Sequence, residues 1–413
     1  MRIRSITCFF DPNIVEVQLT IAKLSAFSQK LESAFRAAGF EVQTRRLAMP
    51  PFPKYTGSMS EEETFRWMEN FESEAVSQGF AFVSFGPALP EYPESYTKIP
   101  GFLKQSKNAF FSGVIADRFQ IYPQAIHAVA GIITQSAGID PDGFANLQFS
   151  ALANVRGKTP FFPAAYHVPG EGLAFALAIE CADVVLKAFQ GQSSLQGARS
   201  DLLTTLESAA ARMQQVIERT TADDEVHFAG FDFSPAPYPQ EGCTLGGGLE
   251  AVGQNAVGRD GSLAAAAVIA DTLDEGNWKR TGFNGLMLPV LEDGLLAARA
   301  AEGVLSVKDL LLYSAVCGTG LDTVPIPGDS SEDEIAAVLF DVAALSVRLG
   351  KPLTARLMPI PGKAAGDKTN FTFDYFAPSR VLPLSSGKVG LPLNGDETIP
   401  LTPRYLHRQL QQK

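Results

Sequence analysis

The 413-residue chain is 46% apolar and 19% charged, enough to build a large buried core, and its net charge of −11 leaves no basic stripe for wrapping nucleic acid. No stretch of about eighteen apolar residues offers a membrane span, the basic start Arg2-Ile3-Arg4 is not followed by the uninterrupted apolar run of a signal peptide, and the four scattered cysteines make neither a disulfide frame nor a zinc knuckle. A cytoplasmic protein is expected, whose dispersed acidity serves solubility.

In chain order, Arg2–Phe10 alternates as a strand and stops at Asp11-Pro12. Residues 14–38 keep helical spacing through Leu24, Phe27, Leu31 and Phe35 until Gly39. Phe40–Leu47 returns as a strand. Ser60 and Glu63 form a capping box for a helix reaching Gln78. Phe80–Phe85 is a strand, Pro123–Ala137 a helix and Phe149–Val155 a strand. Residues 171–189 are apolar on opposite sides at helical spacing, which predicts a buried helix carrying Glu180 on its Leu173/Leu177/Val184 stripe. A helix over 199–219, a strand over Val226–Phe233, an alanine-rich helix over 262–273 and a strand over Phe283–Leu288 follow. A helix over 307–316, capped by Ser306 with Asp309, leads into Val316–Asp329, where three glycines, two prolines, a thiol and two acids predict a shaped loop. Ser331 and Glu334 cap a helix ending at Gly350, and Leu353–Met358 is a strand.

At least six of these strands run into proline-rich loops, and a helix usually follows. Strands alternating with helices predict a parallel sheet with its strand-end loops gathered on one face, stiffened by proline into a single pocket rim. One α/β domain spans residues 1–380, and 381–413 form a proline- and glycine-containing strap.

Several segments carry a resemblance. Phe162-Pro163-Ala164-Ala165-Tyr166, Phe231-Asp232-Phe233-Ser234-Pro235-Ala236-Pro237, Gly285–Asp293 and Cys317–Asp329 are similar to the domain-of-unknown-function 711 family, and Lys351–Leu357 and Pro361–Asp367 extend the match. The resemblance implies a single large barrel of about ten strands with surrounding helices, similar to the barrel of glycyl-radical enzymes, and implies no particular reaction. In those enzymes a cysteine sits on a loop threading the barrel, a place Cys317 would match. Their radical-bearing glycine lies in an Arg-Val-x-Gly-aromatic motif that this tail lacks, so no self-contained glycyl radical is expected.

Candidate catalytic groups are Asp322, Cys317, His167, Glu180 and Arg356. Cys317 follows a helix C-terminus, whose dipole disfavours a thiolate, so a packing role competes with a chemical one. His167 and Glu180 are each either partnered structural residues or functional ones. Asp232, Glu241, Glu292, Asp293, Asp329 and Asp367 fall beside strand ends, and converging acids need a cation or basic partners. Oxygen ligands suit Mg²⁺, Mn²⁺ or Ca²⁺; the alternative is neutralisation by Arg356, Lys351 and Lys363. Gly246-Gly247-Gly248-Leu249-Glu250-Ala251 matches G-x-G-x-x-A without a strand before it, so NAD is not expected. The expectation is a small-molecule enzyme with a carboxylate-lined, metal-dependent barrel mouth acting on a small polar molecule; the alternative is a non-catalytic ligand-binding or assembly protein. Apolar helix faces also allow a homo-oligomer, and nothing points to a nucleic-acid or membrane partner.

Overall fold

The computed structural model describes residues 1–406 except 14, 15, 223, 254, 317, 386–388, 391, 392 and 394. The expected roles of Cys317 therefore fall outside the described residues.

The chain runs β1 (Arg2–Phe9), α1 (Val17–Ala37), β2 (Val42–Ala48), α2 (Pro53–Thr56), α3 (Glu61–Ser77), β3 (Phe82–Ala88), α4 (Glu94–Gln105), β4 (Ala109–Ala116), β5 (Gln120–Ile121), α5 (Pro123–Ala137) and β6 (Phe149–Ala153). It continues through β7 (Ala174–Glu180), α6 (Ala182–Phe189), α7 (Leu195–Thr221), β8 (His227–Asp232), α8 (Leu245–Gly253), α9 (Ser262–Glu275), α10 (Gly294–Ala301) and α11 (Val307–Ser314). β9 (Gly320–Pro327), α12 (Glu332–Leu349), β10 (Leu353–Ile360) and β11 (Ile399–Pro400) complete it. The result is a mixed α/β fold with one eleven-stranded sheet and helices around it. No helix among the described residues is long and apolar enough to cross a membrane.

Local chemistry sets many boundaries where expected. Ile21, Leu24, Phe27, Leu31 and Phe35 form the buried face of α1, at the three-and-four spacing of a helix packed on a sheet. Capping boxes at Ser60/Glu63, Ser306/Asp309 and Ser331/Glu334 start α3, α11 and α12. Gly350, at φ 68°, ends α12 in the left-handed conformation.

The strand path is β8-β7-β1-β2-β3-β4-β6-β10-β9. β1, β2, β3, β4 and β6 are parallel to one another, as are β7 with β8 and β9 with β10. The two groups meet antiparallel, β1 against β7 and β6 against β10. This corrects the single loop-bearing face. The C-terminal ends of β7–β10 share an edge with the N-terminal ends of β1–β4 and β6, so strand-end loops divide between two edges.

Three element expectations are also corrected. Residues 171–189 are not one helix: Ala174–Glu180 is the buried strand β7, and only Ala182–Phe189 is helical. Alternation of Ala with Phe, Leu and Ile satisfies period 2 as well as a two-sided helix does, and burial on both faces blurs the distinction. The loop expected over Val316–Asp329 is largely strand β9. The strand expected over Phe283–Leu288 is irregular, and its neighbours make isolated parallel bridges, Arg280 with Phe231 and Pro289 with Asp322. The tail, expected only as a strap, adds β11 to the sheet against β5.

The two faces of the sheet differ in chemistry. Ile3, Ile6 and Cys8 of β1, with Phe175, Leu177 and Ile179 of β7, join the large core under the helices. Intervening positions are small or polar. Ala174 and Ala176 pack with Phe162 and Ala165, and Ala178 packs with Phe161. Ser5 and Thr7 donate to the Pro160 carbonyl at 3.5 and 2.9 Å, and Ser84 donates to that of Ala165 at 2.6 Å. Residues 158–167 thus cross the inner face, and alanines leave room for them.

Segment 279–290 lies between the path-end strands. Phe231 donates its amide to Lys279 O at 2.7 Å, and Val290 donates to Asp322 O at 3.1 Å. Buried Asp232 fixes its course by accepting from the amides of Phe283 (2.8 Å) and Asn284 (2.9 Å). Gly282, at φ 72°, sits so close that a Cβ would run into Asp232 Oδ2. Gly282→Ala is therefore expected to destabilise the protein by about 2 kcal/mol or more, from left-handed strain plus displacement of a buried carboxylate. Chemical denaturation checks this; an unchanged midpoint would mean the segment is not held as described.

Candidate functional site

On the inner face, arginines and acids alternate in one buried chain. Arg2 Nε donates to Glu180 Oε2. Arg4 reaches Glu180 Oε1 at 2.6 Å and Glu292 Oε2 at 3.0 Å. Arg356 reaches Glu292 Oε1 at 3.0 Å and, through Nε, Asp322 Oδ1 at 2.6 Å. β1, β7, β9, β10 and the turn before α10 supply these side chains, so the chain ties both strand groups together. Burial pulls the Arg4 pKa down, but Glu292 and Glu180 outweigh it and hold Arg4 above its ordinary value. Glu41, 3.6 Å from Arg2, is largely exposed, and water screens it.

Arg46 breaks the pattern. It stands on β2 beside Arg45, but consecutive strand residues face opposite ways. Arg45 turns to α1 and pairs with Glu32 at 3.1 Å. Arg46 is 6% exposed; its Nε donates to Thr44 Oγ1 at 2.9 Å, and its guanidinium lies 5.2 and 5.5 Å from the rings of Phe162 and Phe82. Among the described residues no carboxylate is within ion-pair distance of it. Burial and the like charge of Arg4 pull its pKa down to about 9, which still leaves it cationic at neutral pH.

Arg46, Arg4, Arg356 and Glu292 line a cavity of about 240 Å³ walled by Phe82, Phe110, Phe162, Phe373 and Tyr375. A second cavity of about 20 Å³ lies against Asp322, Thr319, Thr354 and Ser150, with Arg4, Phe162 and Arg356 lining both.

Asp322 is held by an irregularity in β9. Asp322 and Thr323 together stand opposite Arg356, because Leu321 pairs with Ala355 and Val324 with Leu357. Such a bulge re-aims a side chain. Thr323 has φ 40° and a buried hydroxyl without a partner among the described residues, a costly state for a β-branched residue. Burial raises the Asp322 pKa; Arg356 opposes this and Glu292 adds to it.

The remaining expected residues scatter. Asp293 is buried and caps two helices, accepting from Leu245 and Gly246 at the start of α8 and from Leu295 and Leu296 of α10. The G-x-G-x-x-A turn is thus a helix start whose amides Asp293 occupies. Asp232 is spent on segment 279–290 and Ser234. Glu241, Asp329 and Asp367 are exposed, and Asp367 accepts from the Ala364 amide at 2.8 Å. His167 lies at the other edge of the sheet, where its amide donates to Met49 O at the end of β2. Its Nε2 is 3.1 Å from Glu171 O, its Nδ1 is buried without a partner among the described residues, and burial lowers its pKa. Asp322, Glu180, Glu292 and Arg356 are the expected residues brought together. Arg4, Arg46 and the aromatic wall were missed. A signal was present in Arg2-Ile3-Arg4, where cations occupy alternate positions of a strand otherwise reading as buried; Arg45 and Arg46 are consecutive, and the sequence does not say which of them faces inward.

The chain belongs to the family described as Uncharacterised ACR (DUF711), whose model matches residues 1–379. A UPF0210 protein of Pyrobaculum islandicum is 32% identical over 370 residues, covering 86% of this chain and 75% of its own length. Another from Pyrobaculum aerophilum is 34% identical over 307 residues, covering 72% and 64% respectively. A UPF0210 protein of Acetivibrio thermocellus is 28% identical over 371 residues, covering 85% and 80%.

Among the described residues no three or more His, Cys, Asp or Glu side chains gather as a cation cage. The inner acids face guanidiniums, and Asp293 and Asp232 face amides. Chelator is therefore expected to leave the thermal midpoint unchanged. A fall reversed by Mg²⁺, Mn²⁺ or Ca²⁺ would instead place a cation among these acids.

Proposed function

We propose that this chain is an enzyme acting on a small anionic molecule, which Arg46 binds together with Arg4 and Arg356 in the 240 Å³ cavity. The observation that carries the proposal is the buried Arg46 guanidinium with no carboxylate among the described residues. A buried charge without a partner is costly, and an arriving carboxylate or phosphate supplies the missing one through charge-assisted hydrogen bonds. Of the acids that could serve Mg²⁺, Mn²⁺ or Ca²⁺, Glu292 pairs with Arg4 and Arg356, Asp232 and Asp293 accept from amides, and Glu241, Asp329 and Asp367 are exposed.

Asp322 is the group for chemistry. It is buried beside Arg356, its pKa is raised, and the neighbouring backbone is strained, features that cluster at active sites and ligand clamps. Asp322 lines the adjoining cavity of about 20 Å³, and in this role it exchanges a proton with the part of the bound molecule that reaches it past Arg356, while Arg356 stabilises its ionised form. This reading takes the sheet as a ring of ten in which segment 279–290 joins β8 to β9, the barrel implied by the family resemblance; the isolated bridges Phe231–Arg280 and Pro289–Asp322 support it.

Acetate or inorganic phosphate, at constant ionic strength, is expected to raise the melting temperature, by an amount equivalent to about 2.7 kcal/mol at a hundredfold excess over Kd. Arg46→Met should lose that response and, with a buried charge removed, should be no less stable without ligand. An undiminished anion response in the variant would contradict the proposal.

A further inference from the structure

Resting on the anion reading above, we propose that the preferred ligand is a monocarboxylate on a single planar apolar ring, and that Phe373 and Tyr375 are the residues that select the ring.

Charge selects the head group. Arg2, Arg4, Arg46 and Arg356 face three buried acids, Glu180, Glu292 and Asp322, so the inner network carries one unmatched positive charge. A carboxylate neutralises it. A phosphate dianion would exchange an excess positive charge for an excess negative one in the same dry surroundings, at similar cost. Arg46 also has a planar fork that matches the two oxygens of a carboxylate.

The walls select the body. Phe82 and Phe110 meet edge to face at 5.3 Å, and Phe110 meets Phe162 at 5.4 Å, giving one continuous aromatic wall beside Arg46. The other wall comes from the loop after β10. Paired backbone bonds close its neck: Gly366 N to Val381 O, Val381 N to Asp367 O, and Thr369 N to Ser379 O, between 2.9 and 3.0 Å. Between these ties the loop carries Phe371, Phe373, Tyr375 and Phe376. Phe371 and Phe376 pack with Phe144 over Leu291 and Met358, and the Ala377 amide binds Leu291 O at 2.7 Å. Phe373 and Tyr375, with ring centroids 5.3 Å apart, turn to the cavity. Tyr375 is 37% exposed, with Phe373 as its ring partner, so part of its aromatic surface stays open beside the cavity. Phe82, Phe110, Phe162, Phe373 and Tyr375 line this one cavity, and an aromatic lining packs well on a flat apolar group and poorly on a polyol, whose hydroxyls would lose water without gaining partners.

The experiment is calorimetric titration of the full chain with benzoate, acetate and inorganic phosphate at constant ionic strength, repeated on Phe373→Ala and Tyr375→Ala. Benzoate is expected to bind at least about tenfold more tightly than acetate, the worth of one stacked ring. Each variant should lose more affinity for benzoate than for acetate. Tyr375 lies at the exposed tip, so its variant tests the ring even where Phe373→Ala fails to fold. Acetate binding as well as benzoate, or phosphate binding best, would overturn the ring-carboxylate proposal and leave the anion site standing. Absence of binding by all three would overturn both.

Discussion

The ion chain on the inner face of the sheet is the constraint on which the rest depends. Arg2, Glu180, Arg4, Glu292, Arg356 and Asp322 link β7, β1, the turn before α10, β10 and β9. Removing one member of a buried pair strands its partner and typically costs about 3–5 kcal/mol, so each residue fixes its neighbours. A well-packed apolar substitute would often be as stable, so stability alone does not explain so many charges in one place. Among the described residues Arg46 has no acid within ion-pair distance, and the proposed ligand would supply one.

Such a network requires a sheet whose two faces obey different rules. Outward residues are mostly large and apolar and anchor the helices; inward residues are alanine, serine, threonine and charge, with Phe9, Phe82 and Phe110 among them. Small inward residues let segment 158–167 cross the interior, and serine and threonine hydroxyls hold its carbonyls. That segment brings Phe162 to Arg46 and separates the arginine mouth from the edge where His167 lies. Of the non-glycine residues at positive φ among the described residues, Thr323 is the β-branched one, and it stands beside Asp322.

Much of the fold was legible in local chemistry. Capping boxes and glycine stops located α3, α11 and α12, and period-2 alternation located β1, β2 and β10. Failures came where tertiary context decides: alanine-rich β7 satisfies two periodicities, and proline-rich β9 resembles a loop while pairing along β10. The reversal between the strand groups left no local mark, so acids assigned to one rim were divided among ion pairs, helix caps and solvent. Glu180 was legible as an acid on a buried stripe, Glu292 and Asp322 as acids in or beside strand-end loops, and Arg356 as a basic partner for such acids. Arg46 was not, because Arg45 and Arg46 look alike until the pleat sends them to opposite faces.

The most direct test supplies the missing acid from the protein itself. Thr44 touches Arg46 through its hydroxyl, so Thr44→Glu places a carboxylate beside that guanidinium. Melting curves with and without acetate are the measurement. The expected result is a folded variant whose melting temperature no longer responds to the anion, because its own glutamate occupies the place. A response as large as that of the unaltered chain would mean that Arg46 is not where the anion binds.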